Sequence, residues 1–199
     1  MLKKIFTLTI SVLFLVVLSS CEKVAPPENG LLYNEPCGSP CFLDITPQIS
    51  TKQDVNESLK RFGLNNRCIL KNGKGMENIN IVECKHPRIK IGIDEAQDIV
   101  NSIEFQPDST ISIGSIINKY GEPDFITCFP TNTTSEEPTS KLMIFFQTES
   151  MVINIEHING YIVDITEDTV IDSVIYSESL ISIQEKSSYR QQWKGYSEY

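Results

Sequence analysis

The chain has 199 residues, with 17 Lys and Arg against 26 Asp and Glu, a formal net charge of −9 and 40% hydrophobic residues. This composition fits a folded globular body of medium size, and frequent Ile, Val, Thr, Tyr and Phe favour strands. An acidic surface repels phosphate backbones and anionic headgroups, which excludes nucleic acid as a partner.

The N-terminus reads as a processing signal. Lys3 and Lys4 form a basic start, and Ile5 to Leu18 follows without a charge. As a helix that run spans about 21 Å, too short for a bilayer core of about 30 Å but suited to a signal peptide. Leu18-Ser19-Ser20-Cys21 then resembles the bacterial lipobox, an aliphatic residue and two small ones before an obligatory cysteine. The resemblance implies that the Cys21 thiol takes diacylglycerol as a thioether. Cleavage between Ser20 and Cys21 then frees an amine for a further acyl chain such as palmitate, and two or more chains give stable anchoring. Removal of residues 1–20 leaves a formal charge of −11, so membrane attachment falls to the lipid on Cys21. Residues 21–36 read as the lipidated cysteine and a flexible tether, with Pro26, Pro27, Asn29, Gly30 and Pro36. Extended, it reaches roughly 45 Å from the membrane.

Beyond the tether the pattern predicts an α+β chain of two tandem repeats, 37–106 and 107–178, each one helix followed by about four antiparallel strands. In the first, Val55, Leu59 and Phe62 share a helical face, Ser50-Thr51-Lys52-Gln53 fits a capping box, and Gly63 fits a stop. Strands are expected at 68–70, 79–85, 88–93 and 99–105. In the second, Ile113, Ile116, Ile117 and Tyr120 form the face, and Gly121 and Pro123 end the helix. Strands are expected at 125–129, 142–148, 152–157 and 170–177. The turn-rich stretches Pro130–Ser140 and Asn159-Gly160 hold the extra residues of this half. Residues 179–199 form an aromatic tail with the single Trp193, which either packs back on the sheet or binds glycan.

Residues 109–126, STISIGSIINKYGEPDFI, carry a further resemblance. A helix, Gly-x-Pro and a meander are similar to the small outer-membrane-assembly lipoproteins of the SmpA/OmlA (BamE) family, and two such units to the β-lactamase inhibitory protein fold. The first half departs from it, with Gly63-Leu64-Asn65 and no proline. The Pro36-Cys37 entry and the tail Trp193-Lys194-Gly195-Tyr196 resemble lipoproteins of filamentous, Chloroflexus-type bacteria. The first likeness implies protein binding in the envelope, the second carries no known activity, and neither identifies a partner.

Five cysteines remain besides Cys21, and export would place them where disulfides persist. Cys68 and Cys84 flank a hairpin and are the first candidate pair. Cys37 and Cys41 either pair across Gly-Ser-Pro or send one member to Cys128. The odd number leaves a thiol free or pairs it between molecules. Cys37, Cys41 and His86 as metal ligands is the rival reading, and their spacing does not favour it.

Catalytic signals are missing from the sequence. It has no Gly-x-Ser-x-Gly, no phosphate loop, and only His86 and His157, both beside turns. Asp94-Glu95, Glu136-Glu137 and Glu167-Asp168 sit in expected loops and read as solvated turns. One stretch hints at binding: Leu142-Met143-Ile144-Phe145-Phe146 is apolar on both strand faces. Met143 and Phe145 are therefore either a partner-docking patch or covered by the other repeat or by the C-terminal tail. The expectation is a lipoprotein on the extracytoplasmic side of the cell membrane or outer membrane, without cofactor or metal, acting as a non-enzymatic binding module for an envelope protein. An inhibitor or regulator of a secreted enzyme is the alternative, and a hydrolase comes third.

Overall fold

The computed structural model describes residues 30–33, 37–72, 79–107, 110–132, 139–159, 164–197 and 199. The expected signal segment, Cys21, most of the expected tether, Glu136-Glu137 and residues 73–78 and 160–163 lie outside the described residues. Among the described residues no helix is long and apolar enough to cross a membrane.

Helix formation follows local chemistry. A one-turn helix, α1 (Gly30–Tyr33), precedes α2 (Lys52–Arg61). The expected capping box is present but shifted by one residue: Thr51, not Ser50, is the N-cap. Its hydroxyl accepts from the Asp54 N–H, and the Asp54 carboxylate accepts from the Thr51 N–H at 2.7 Å. Ser50 is instead buried, and its Oγ accepts from the Thr46 N–H at 2.9 Å. Val55, Leu59 and Phe62 face the core as their spacing requires, and Gly63 ends the helix at φ +69°. α3 (Ile113–Tyr120) is capped by Ser112 and ends at Gly121, φ +83°. Gly114 lies so close to Glu167 that a Cβ there would sit 2.9 Å from its carbonyl oxygen, which ties α3 to the 165–169 turn.

The strands are β1 (Cys68–Asn72), β2 (Ile79–Cys84), β3 (Ile89–Asp94), β4 (Ile99–Phe105), β5 (Phe125–Asn132), β6 (Thr139–Phe146), β7 (Met151–Asn159), β8 (Ser173–Tyr176) and β9 (Arg190–Gln192). Their order is β1-β2-β3-β4-β8-β7-β6-β5-β9, antiparallel throughout. A last helix, α4 (Glu178–Glu185), precedes β9.

This overturns the expectation of two tandem α+β repeats. The protein is mainly β, one continuous nine-stranded sheet with short helices. β4 and β8 pair through Ile103↔Tyr176, Glu104↔Ile175 and Phe105↔Val174, which consumes the edges that would have bounded separate units. One core runs through the whole inner face, from Leu43, Val55 and Ile91 to Ile144, Val174 and Trp193. Three elements had no counterpart in the reading of the sequence: α1, whose Leu31 is buried, lies in the stretch read as a flexible tether, and α4 and β9 come from the end of the chain, read as a tail from residue 179. Val170, placed in the closing strand, is instead 48% exposed in an isolated bridge to Ser112.

Candidate binding face

The outer face of the sheet, opposite the main core, is divided between two surfaces. Over β5–β8 it is apolar and covered. Phe125, Met143, Phe145 and Val152 form a second cluster beneath Ile181 and Leu180 of α4, and the rings of Phe125 and Phe145 stack at 4.4 Å. Met143 is 5% exposed and Phe145 is fully buried, so the proposed partner patch at these residues is corrected: α4 occupies it. The physical reason lies in the helix, whose Ile181 supplies the apolar cover that a doubly apolar strand needs. A polar row also crosses this covered surface. Asn154 Nδ2 donates to Ser173 Oγ at 3.0 Å, while Asn154 Oδ1 and Thr127 Oγ1 are buried without a hydrogen-bond partner. No pattern in the sequence marks that row, because Thr127 and Asn154 look like ordinary solvent-side residues of strands.

α4 reaches as far as β4, and beyond it, over β1–β3, the outer face carries charged and polar side chains. Register places Glu83, Lys90 and Glu104 side by side on consecutive strands. The charges alternate: Lys90 Nζ lies 3.2 Å from Glu104, and Lys71 pairs with Glu83. The Lys71 hydrogen bond and charge, helped by Lys90 and Lys85, hold the Glu83 carboxyl below the usual carboxylate range. Arg88 donates to Gln106 Oε1 at 3.1 Å. Beside this ladder lies an open groove of about 370 Å³, lined by Glu83, Lys85, His86, Arg88, Lys90 and Glu104 among others. Gly92 leaves room on the same face for the Asn101 and Ser102 side chains, whose oxygens would lie 2.4 and 2.6 Å from a Cβ there.

The cysteines resolve as two bridges. Cys68 and Cys84 are register partners on β1 and β2 with Cα atoms 4.0 Å apart, and Cys37 bonds Cys41 across its turn. Both members of the suggested metal pair are thus consumed in a disulfide. Cys128 is a free thiol, half-buried on β5, and burial raises its pKa, which makes it a poor nucleophile. Among the described residues no group of three His, Cys, Asp or Glu side chains converges. His86 sits exposed in the β2–β3 turn, and the His157 side chain lies outside the described residues. Asp94 accepts from the Ala96 and Gln97 N–H groups at 2.8 and 3.0 Å, a turn role. Glu167 contributes its carbonyl to the Gly114 N–H.

A titratable cluster absent from the reading of the sequence sits where α1 meets α3. Lys119 Nζ donates to the Leu31 carbonyl at 2.7 Å, and the Tyr120 hydroxyl donates to the same oxygen. Burial lowers the Lys119 pKa, and burial with the Glu149 charge pushes Tyr120 up to about 12. Both side chains are spent on fixing α1. The tail packs rather than projects: Trp193 is 9% exposed, stacked on Tyr199 at 5.7 Å, and Arg190 lies over the Phe125 ring.

No protein family matches this chain, and no curated protein or solved structure does either. What it does must therefore be argued from its own residues.

Proposed function

We propose that this chain is an extracytoplasmic lipoprotein, held at a membrane through lipid on Cys21, whose sheet acts as a non-enzymatic protein-binding module in the cell envelope. The observation that carries the binding reading is the uncovered half of the outer face. There a ladder of alternating charges, a groove and the half-exposed side chains of Ile79 and Ile81 stand open, while the other half of the same face is closed by α4. A polar, charge-patterned surface with scattered aliphatic groups suits recognition of a protein. Two disulfides support placement outside the cytoplasm, since such bonds persist in oxidising compartments. The lipobox residues support the anchor.

Two experiments test the halves of this reading separately. Cys21→Ala should move the protein from the membrane to the soluble fraction, and an unchanged membrane fraction would count against the anchor. A photo-crosslinking side chain at Ile81 should capture a different polypeptide in intact cells, with a yield cut several-fold by Lys90→Glu. A crosslink indifferent to that substitution would count against the open face.

A further inference from the structure

The two edges of the sheet differ. β9 is three residues long, polar, and carries Arg190, which is how natural sheets blunt an edge. β1 is five residues long and presents Ile69 at 52% and Leu70 at 50% exposure, one on each face. No described residue pairs with its outer side.

Which backbone groups of β1 are free follows from the ladder. In antiparallel pairs, residues at non-hydrogen-bonded positions have Cα atoms about 4.5 Å apart and point their N–H and C=O away from that neighbour. Cys68 and Cys84, at 4.0 Å, are such a pair. An independent bond agrees: the Gln106 N–H donates to the Arg88 carbonyl at 3.0 Å. Strict alternation then makes Ile89↔Phe105 non-hydrogen-bonded, Cys84↔Ile89 hydrogen-bonded, and Cys68↔Cys84 non-hydrogen-bonded again. Cys68, Leu70 and Asn72 therefore aim their amides and carbonyls outward, and Ile69 and Lys71 aim theirs at β2.

We infer that β1 docks against β1 of a second copy of this chain, antiparallel about a two-fold axis through Leu70. The outward set is symmetric about its middle member. In an antiparallel self-pair, Leu70 meets Leu70 of the partner and Cys68 meets Asn72, so each outward donor finds an outward acceptor and about six hydrogen bonds form. A two-fold interface needs one surface complementary to itself, and this strand is one. Side chains agree with the backbone: the two Leu70 side chains come together, and Ile69 lies opposite Lys71, whose ammonium is already neutralised by Glu83. The axis is perpendicular to the sheet, so both copies present their open outer faces in one direction and their chain starts on one side. Two copies tethered to the same membrane could thus meet without either leaving it. The pairing itself does not depend on lipidation.

The test is sedimentation equilibrium of the full chain in density-matched detergent over a concentration series, with Leu70→Pro, Leu70→Lys and Cys21→Ala alongside. Proline deletes an outward N–H that β2 does not use, and lysine sets like charges face to face on the axis while leaving an already exposed site exposed. The expected result is a dimer for the parent and for Cys21→Ala, and a halved mass for both Leu70 variants with unchanged circular dichroism. If Leu70→Pro does not fold, Leu70→Lys decides alone. Amide exchange should slow with concentration at Leu70 and Asn72 but not at Ile69 and Lys71. A monomeric parent at all concentrations, an oligomer larger than two, or a dimer that survives substitution at Leu70 would overturn the inference. A dimer lost in Cys21→Ala alone would overturn it too, by assigning association to the lipid.

Discussion

The outer surfaces of β5–β8 and β1–β3 belong to one face of one sheet, yet one is core and the other is open. The difference is written in the strands that build them. In β6 every position from Leu142 to Phe146 is apolar, so whichever way the strand faces, both sides need cover. In β3, Ile89, Ile91 and Ile93 turn inward while Lys90 and Gly92 turn outward, so one covered side suffices. α4 therefore lies where water would otherwise meet Phe125, Met143 and Phe145, and nothing comparable is required over Glu83, Lys90 and Glu104.

That contrast can be broken most severely at Phe145. Phe145→Ala on the covered half should cost about 3–5 kcal/mol of folding stability, the usual loss for a buried aromatic ring. Urea unfolding measures it, and a cost below about 1 kcal/mol would mean that α4 does not seal the surface. Next in size is the brace on the open half. Paired Cys68→Ala and Cys84→Ala substitutions should cost about 3 kcal/mol, since the bridge closes a loop of that order of length. Lys90→Ala, the open-face counterpart of the Phe145 change, should cost under about 1 kcal/mol because both partners of its ion pair meet water. The ratio of the first effect to the third is the comparison in numerical form.

The smallest expected effect is acidic. Asp54 is held below its ordinary value of 3.8 by the Thr51 backbone and side-chain hydrogen bonds, and Glu83 below 4.5 by Lys71. Their folded pKa values are lower than their unfolded ones, so the stability they add is present above the ordinary values and is lost as pH falls through the folded values. Both groups are exposed. A shallow decline in the urea midpoint confined to below about pH 4.5 is expected. Asp54→Asn should remove the Asp54 share of that decline, whereas Thr51→Ala, which keeps the backbone N–H, should remove only part of it; a slope unchanged by Asp54→Asn would mean that the cap is not its source.

Much of the strand pattern was legible. The ranges read at 68–70, 79–85, 88–93, 99–105, 125–129, 142–148 and 152–157 overlap the observed strands, because alternation and turn residues act locally. The pairing of Cys68 with Cys84 was legible for the same reason: a hairpin fixes register. How the strands join was not. Whether β4 ends a unit or meets β8 depends on Ile103, Phe105, Val174 and Tyr176 finding one another across the chain, and no local period records that. The fate of Met143 and Phe145 was legible only as two alternatives, since the residue that decides it, Ile181, lies in a weakly patterned helix more than thirty positions away. The groove at His86 and Arg88 escaped notice because its charges come from three strands that only the folded register aligns.

The most direct test of the account is the intact mass of the protein recovered from the membranes of the cells that make it, with and without reductant. The account predicts a chain that begins at Cys21, carries diacylglycerol and acyl mass on that residue, and gains four hydrogens on reduction as two internal bridges open. A soluble chain that retains residues 1–20, carries no lipid and does not change mass on reduction would contradict it.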